Sequence, residues 1–411
     1  MKAMKHACWV IAFSILFVTG CSHIKPVDNK AESISFSERA QIDSEIEWRV
    51  SPIEERLASM TVEEKIGQLL IVGLEGTTYN NKLDKLIKQH HIGGIILLGR
   101  NISTSNQIVG LLNDAKKANR EYGIPLFLSV DEEGGRVSRL PKGLKKSPSA
   151  AKIGKRNNET LAYDSGVYMA TLLNAFGYNM NYAPDLDVNS NPRNPVIGDR
   201  SYSANPVTVS KIGLAVRRGI TDQGVISVVK HFPGHGDTHT DSHKSLPVID
   251  KSLHELEKTE LVPFQQAIAE QVDVIMVAHI LFPALDADNP SSLSKKVIND
   301  LLKNRMGYEG VVITDDLTMG AIVNDYTVAE AALKSFLAGS DLLLVAGDYN
   351  NQLETIEKLN AAVKSGDISK ERLNSSVRRI LQLKERFKME DTAKEEVNID
   401  RMNKKFHELI R

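Results

Sequence analysis

The sequence predicts an α/β protein built as a single (β/α)8 TIM-like barrel, with an N-terminal tether and C-terminal helices. Three observations carry this prediction. Eight short apolar or β-branched runs recur along the chain. Segments with helical spacing lie between most of them. Charged and polar residues crowd directly after the runs, the rim where a barrel collects its chemistry.

The runs fall at 66–74, 92–98, 125–130, 178–188, 225–231, 272–280, 310–314 and 341–346. Strands buried on both faces read as continuous apolar stretches, and βα repetition implies a parallel sheet. Helical period marks 81–91, 105–122, 159–176, 207–222, 253–270, 295–306 and 328–338. A doubly wound open sheet is the alternative, and eight runs favour the barrel. Gly339 and Gly347 bracket the last run as turn residues. Two more helices are expected at 351–364 and 370–387, inside a barrel body spanning 51–388. The charged end, 389–411, reads as a loosely packed helical appendage.

The first twenty residues stand apart. Lys2 and Lys5 precede an apolar stretch, 7–18, that is too short for a confident membrane span and fits a signal peptide. It ends in Val18-Thr19-Gly20-Cys21, which resembles a bacterial lipoprotein box. Cleavage before Cys21 would expose its amine and thiol for acylation, and several acyl chains anchor stably. Removing 1–20 also leaves Cys21 as the remaining thiol of two, a composition suited to an oxidising compartment. Residues 21–50 are polar and read as a tether. The expected location is the cell envelope. Ser22 is not an aspartate retention signal, which points to the outer membrane where there are two membranes.

Composition excludes several classes. Lys plus Arg number 51 against 52 Asp plus Glu, so nothing suggests nucleic acid as a partner. Hydrophobic residues at 42% and charged residues at 25% are ordinary globular values. Two cysteines exclude a disulfide scaffold. A tethered monomer is expected.

The rim residues follow from the runs. The third run leads into Asp131-Glu132-Glu133-Gly134-Gly135-Arg136-Val137-Ser138-Arg139, and the fourth carries Asp185 and Asp187. The fifth enters Lys230-His231-Phe232-Pro233-Gly234-His235-Gly236-Asp237-Thr238, continuing to Asp241-Ser242-His243. Four of the eleven histidines recur every fourth residue there. On a helix that spacing would stack metal ligands, but Pro233, Gly234 and Gly236 break a helix. A metal-dependent hydrolase built on a 231–243 loop therefore stays as a rival, and exposed surface histidines as another. The third reading is a catalytic loop in which Asp241 orients His243 as general acid/base. At the end of the seventh run, Asp315 could act as nucleophile towards a sugar anomeric carbon. Asp316 competes for that role, since alternation along a strand lets one of the pair face the barrel mouth. Both could instead cap the turn before Gly320.

In combination, these motifs resemble the β-N-acetylhexosaminidase branch of glycoside hydrolase family 3, over roughly residues 52–388. The Lys230–Thr238 string, Asp241-Ser242-His243, the 131–139 segment, Ile197-Gly198-Asp199-Arg200 and Thr314-Asp315-Asp316-Leu317 occur in order. The resemblance implies a retaining mechanism with Asp315 as nucleophile and His243 as acid/base, paired with Asp241. It implies sugar contacts from Asp131, Arg139, Arg200, Lys230 and His231. It implies no metal and no cofactor. For Arg200 a structural ion pair is the competing reading; Arg136 is read as structural. The family's β-glucosidase branch carries a second α/β domain, and the stretch after residue 350 is too short for one. The implied partner is a glycan bearing terminal β-linked N-acetylglucosamine, such as peptidoglycan fragments or chito-oligosaccharides. Many single-domain relatives are cytoplasmic, so the lipoprotein signal departs from their pattern. A non-catalytic sugar-binding lipoprotein is the last rival, and the presence of Asp241, His243 and Asp315 argues against it.

Overall fold

A computed structural model describes residues 51–410; the signal peptide, the tether and Cys21 lie outside them. Eight parallel strands form one sheet: β1 Leu70–Val72, β2 Gly94–Leu97, β3 Phe127–Val130, β4 Met180–Asn181, β5 Ile226–Phe232, β6 Val274–Val277, β7 Val311–Thr314 and β8 Leu343–Val345. The order is β7-β6-β5-β4-β3-β2-β1-β8. β1 pairs with β8 in register Leu70↔Leu343, and a parallel bridge between Ile313 and Leu342 joins β7 to β8 and closes the barrel. Every strand residue is buried, which explains why the runs show no polar alternation.

Three differences from the expected elements have local causes. The front of the 66–74 run is helix, Val62–Gln68, started by a reciprocal cap between Thr61 and Glu64. The 178–188 run yields a two-residue strand. Pro184 has no N–H to continue the ladder, and pairing resumes only as an isolated bridge between Asp185 and Lys230. The 253–270 segment splits into Leu253–Lys258 and Val262–Ala269. In a continuous helix the Pro263 ring would collide with the carbonyl four residues back, Thr259, where the break lies.

The C-terminal helices hold the barrel floor and one side. Lys384, on the helix Lys370–Arg386, is buried beneath the strands. Its ammonium donates to Gln68 Oε1 at 2.8 Å and the Gly93 carbonyl at 3.1 Å, and lies 4.5 Å from the Phe127 ring centre. The charged end is more closely docked than its composition suggests. On the helix Ile399–Leu409, Met402 is buried and Phe406 stacks edge-on against Tyr168. Asn403 bridges the Gly143 carbonyl and the Lys145 N–H. Among the described residues no helix is long and apolar enough to cross a membrane.

Candidate active site

A cavity of about 450 Å³ opens at the C-terminal ends of the strands. Its wall includes Asp131, Arg139, Arg200, Lys230, His231, His243 and Asp315. Asp241 reaches it through His243. A second cavity of about 410 Å³ lies at the other end, beside Asp273. Arg386 and Arg217 pair with Asp273 there, as befits a face that carries stability.

One side of the site is a chain of buried charges. Lys230, on β5, donates to Asp131 at 2.7 Å and contacts Glu133 at 2.8 Å. Arg200 grips both oxygens of Glu133, at 2.7 and 2.8 Å, and lies 3.6 Å from Asp185. Burial opposes ionisation of Glu133, yet Arg200 and Lys230 outweigh it and hold the carboxyl below the usual carboxylate range. Arg200 is thus both a structural ion-pair partner and part of the cavity wall. Arg136 pairs with Asp199 at the exposed rim, as expected. Arg139 is held from behind: its backbone N–H donates to Glu132 Oε2 at 2.8 Å, and burial pushes the Glu132 carboxyl up to about 7.

His231 works as a neutral ring. Burial pushes its pKa down to about 4, although Asp185 pulls the other way. The guanidinium of Arg200 can only donate, so His231 Nε2, 3.4 Å away, is the acceptor. The proton then sits on Nδ1, which donates to Asp187 Oδ2 at 2.6 Å.

The four regularly spaced histidines do not gather at one point: the His231 and His235 rings meet edge-on with centres 5.6 Å apart, while His239 and His243 are exposed. No helix forms over 233–248, as the proline and glycines require. His235 is buried and staples the loop, bonding Ser242 Oγ and Thr238 Oγ1, each at 3.0 Å. A Cβ on Gly236 would lie 1.7 Å from the Val188 carbonyl oxygen, so the loop packs there only as glycine. His239 is exposed beside Asn191. His243 projects from the loop with its side chain 66% exposed, its Nδ1 2.9 Å from Asp241 Oδ1. Asp241 also accepts the His243 N–H; burial opposes its ionisation, but these bonds bring its pKa below the ordinary value.

Asp185, Asp187 and His231 lie close enough for an ion to reach all three. The donor set is a poor fit. Asp187 already accepts from His231 Nδ1 and from the His231 and His235 N–H groups, and the Arg200 cation stands beside Asp185.

At β7, Asp315 and Asp316 have different work. Asp316 accepts from the Thr318 N–H and hydroxyl and from the Ala346 N–H. Asp315 accepts one backbone bond, from Asp316. Burial would raise its pKa, but His279, His231, that N–H and Lys230 hold it at about 2. His279, at the end of β6, bonds the Asp316 carbonyl at 2.9 Å and Ser292 at 2.6 Å. Sequence reasoning missed Glu133, Asp187 and His279 as site residues. Their place after apolar runs was the available signal.

Comparisons with known proteins point to one family. A family model described as the glycosyl hydrolase family 3 N terminal domain matches residues 61–383. A protein of Pseudoalteromonas piscicida named Beta-hexosaminidase A is 36% identical over 332 residues, 75% of this chain and 56% of that protein. The chain therefore spans little more than half of that relative. A Beta-hexosaminidase of Tolumonas auensis is 35% identical, over 71% of this chain and 86% of that protein. A solved glycoside hydrolase family 3 β-N-acetylglucosaminidase from Paenibacillus sp. str. FPU-7 superposes with a TM-score of 0.80 at 40% identity, covering 85% of this chain and 68% of that one. With the matched segment enclosing all eight strands and both aspartates at β7, the chain belongs to glycosyl hydrolase family 3.

Proposed function

We propose that the barrel is a retaining β-N-acetylhexosaminidase that removes terminal β-linked N-acetylglucosamine from a glycan. The observation that carries the reading is Asp315: an ionised carboxylate at the end of β7, in the same cavity wall as His243. The hexosaminidase names of the relatives support the substrate class.

In the first step Asp315 attacks the anomeric carbon as the bond to the leaving oxygen breaks. His243 Nε2 gives its proton to that oxygen. In the second step the same nitrogen takes a proton from water, and the water oxygen displaces Asp315. Asp241 holds Nδ1 and so keeps Nε2 free for both transfers. Lys230, Arg200 and Asp131 offer charged hydrogen-bond partners to the sugar hydroxyls, the strong kind. His231 lines the same wall and holds Arg200 through Nε2.

The test is nitrophenol release from the aryl β-N-acetylglucosaminide, with EDTA present, beside the matching β-glucoside. Turnover of the acetamido sugar under chelation supports the reading. Turnover only after zinc addition would favour the metal hydrolase instead.

The anchor belongs to the same proposal: acylated Cys21 tethers a monomeric barrel to the cell envelope, supported by the residues preceding it. Palmitate labelling that survives Cys21→Ser would refute the anchor.

A further inference from the structure

Resting on the hydrolase reading, we infer that Gly320 and Asn324 are positioning residues for the acid/base step. The connection that leaves the nucleophile strand also seats the loop carrying His243.

Three consecutive carbonyls of that loop accept bonds from this one segment. The Gly320 N–H donates to the His243 carbonyl at 3.3 Å, and the Ala321 N–H to the Ser242 carbonyl at 3.1 Å. Asn324 Nδ2 donates to the Lys244 carbonyl at 3.1 Å. One side-chain anchor, His235 on Ser242 Oγ at 3.0 Å, precedes His243; beyond it the catalytic side chains are loosely held, with His243 66% and Asp241 32% exposed. The approach is close enough to exclude a side chain. A Cβ on Gly320 would lie 2.7 Å from the carbonyl oxygens of both His243 and Lys244. Both are backbone atoms, so the loop itself must move for any larger residue to fit. Gly320 follows Asp315 by five residues, and the Met319 N–H bonds back to the Asp316 carbonyl. The nucleophile and the seat of the proton donor therefore share one short connection.

A displaced loop harms proton transfer while leaving Asp315 in place, and leaving-group dependence separates the two. Dinitrophenolate departs without a proton, whereas phenolate needs one. The experiment measures kcat/KM for Gly320→Ala, Asn324→Ala and Asn324→Gln on dinitrophenyl and phenyl β-N-acetylglucosaminides, with melting temperatures alongside. The expected result is a loss of about tenfold or more on the phenyl sugar for both alanine variants. On the dinitrophenyl sugar the change stays within about twofold, and Asn324→Gln recovers part of the phenyl activity by keeping a donor. Equal losses on both sugars, or undiminished phenyl activity in Asn324→Ala, would overturn the inference. Asn324→Ala keeps the question open to test if Gly320→Ala does not fold. Wild-type protein inactive on both sugars would instead bring down the hydrolase reading itself.

Discussion

Asp316 donates its backbone N–H to the Asp315 carboxylate at 2.8 Å, while its own carboxylate is occupied by Thr318 and Ala346. One aspartate builds the turn that presents the other. Asp315→Asn should therefore abolish turnover, roughly 10³-fold or more, with the melting temperature nearly unchanged. Asp316→Asn should instead lower the melting temperature, because an amide cannot accept from all three donors. Kinetics and melting curves for the two variants check this.

His243→Ala should slow cleavage of sugars with poor leaving groups by about 10²–10⁴-fold. Asp241→Asn should cost less, since it removes the orienting partner and leaves the imidazole. Azide should restore turnover of the dinitrophenyl sugar by His243→Ala, because an anion attacks without a base. Absence of that rescue, with activity lost, would argue against the histidine role.

Glu133→Gln leaves the Lys230 and Arg200 cations buried with one carboxylate fewer. Breaking such a buried pair costs about 3–5 kcal/mol. Denaturant unfolding should show that loss, and KM should rise as both cations shift. Unchanged stability would mean that the network is better hydrated than its burial indicates.

Lys384 predicts a pH dependence remote from the chemistry. Burial pushes its pKa down to about 7 from the ordinary 10.5. Between those values the unfolded chain binds more protons than the folded one, so this group's penalty is full below pH 7 and fades as pH rises. Wild type should gain stability relative to Lys384→Met over that window, with a limiting slope of about 1.4 kcal/mol per pH unit. A difference that does not vary with pH would contradict it.

Most of the barrel was legible because its strands are buried on both faces, as at β6 and β7. The short β4 was not, since an apolar run does not reveal where Pro184 ends the hydrogen bonding. Asp315 and His243 were legible from their place after strands and in a string of motifs. What escaped was pairing between the ends of nearby strands. Lys230 meets Asp131 across 99 residues, and His231 meets Asp187 across 44. The side-by-side order of β3, β4 and β5 brings these together, so the place of Glu133 and Asp187 after apolar runs did not reveal their partners. The work of Asp316 likewise became plain only with the Ala346 N–H, which the residue after β8 supplies.

The most direct test of the account is to trap the glycosyl-enzyme. His243→Ala, mixed with the dinitrophenyl β-N-acetylglucosaminide, should accumulate the intermediate because its hydrolysis lacks a base. Intact-mass measurement followed by peptide mapping should find one N-acetylglucosaminyl group, attached to the peptide at Asp315. Label at another residue, or a burst of dinitrophenol with no covalent adduct, would contradict the central claim.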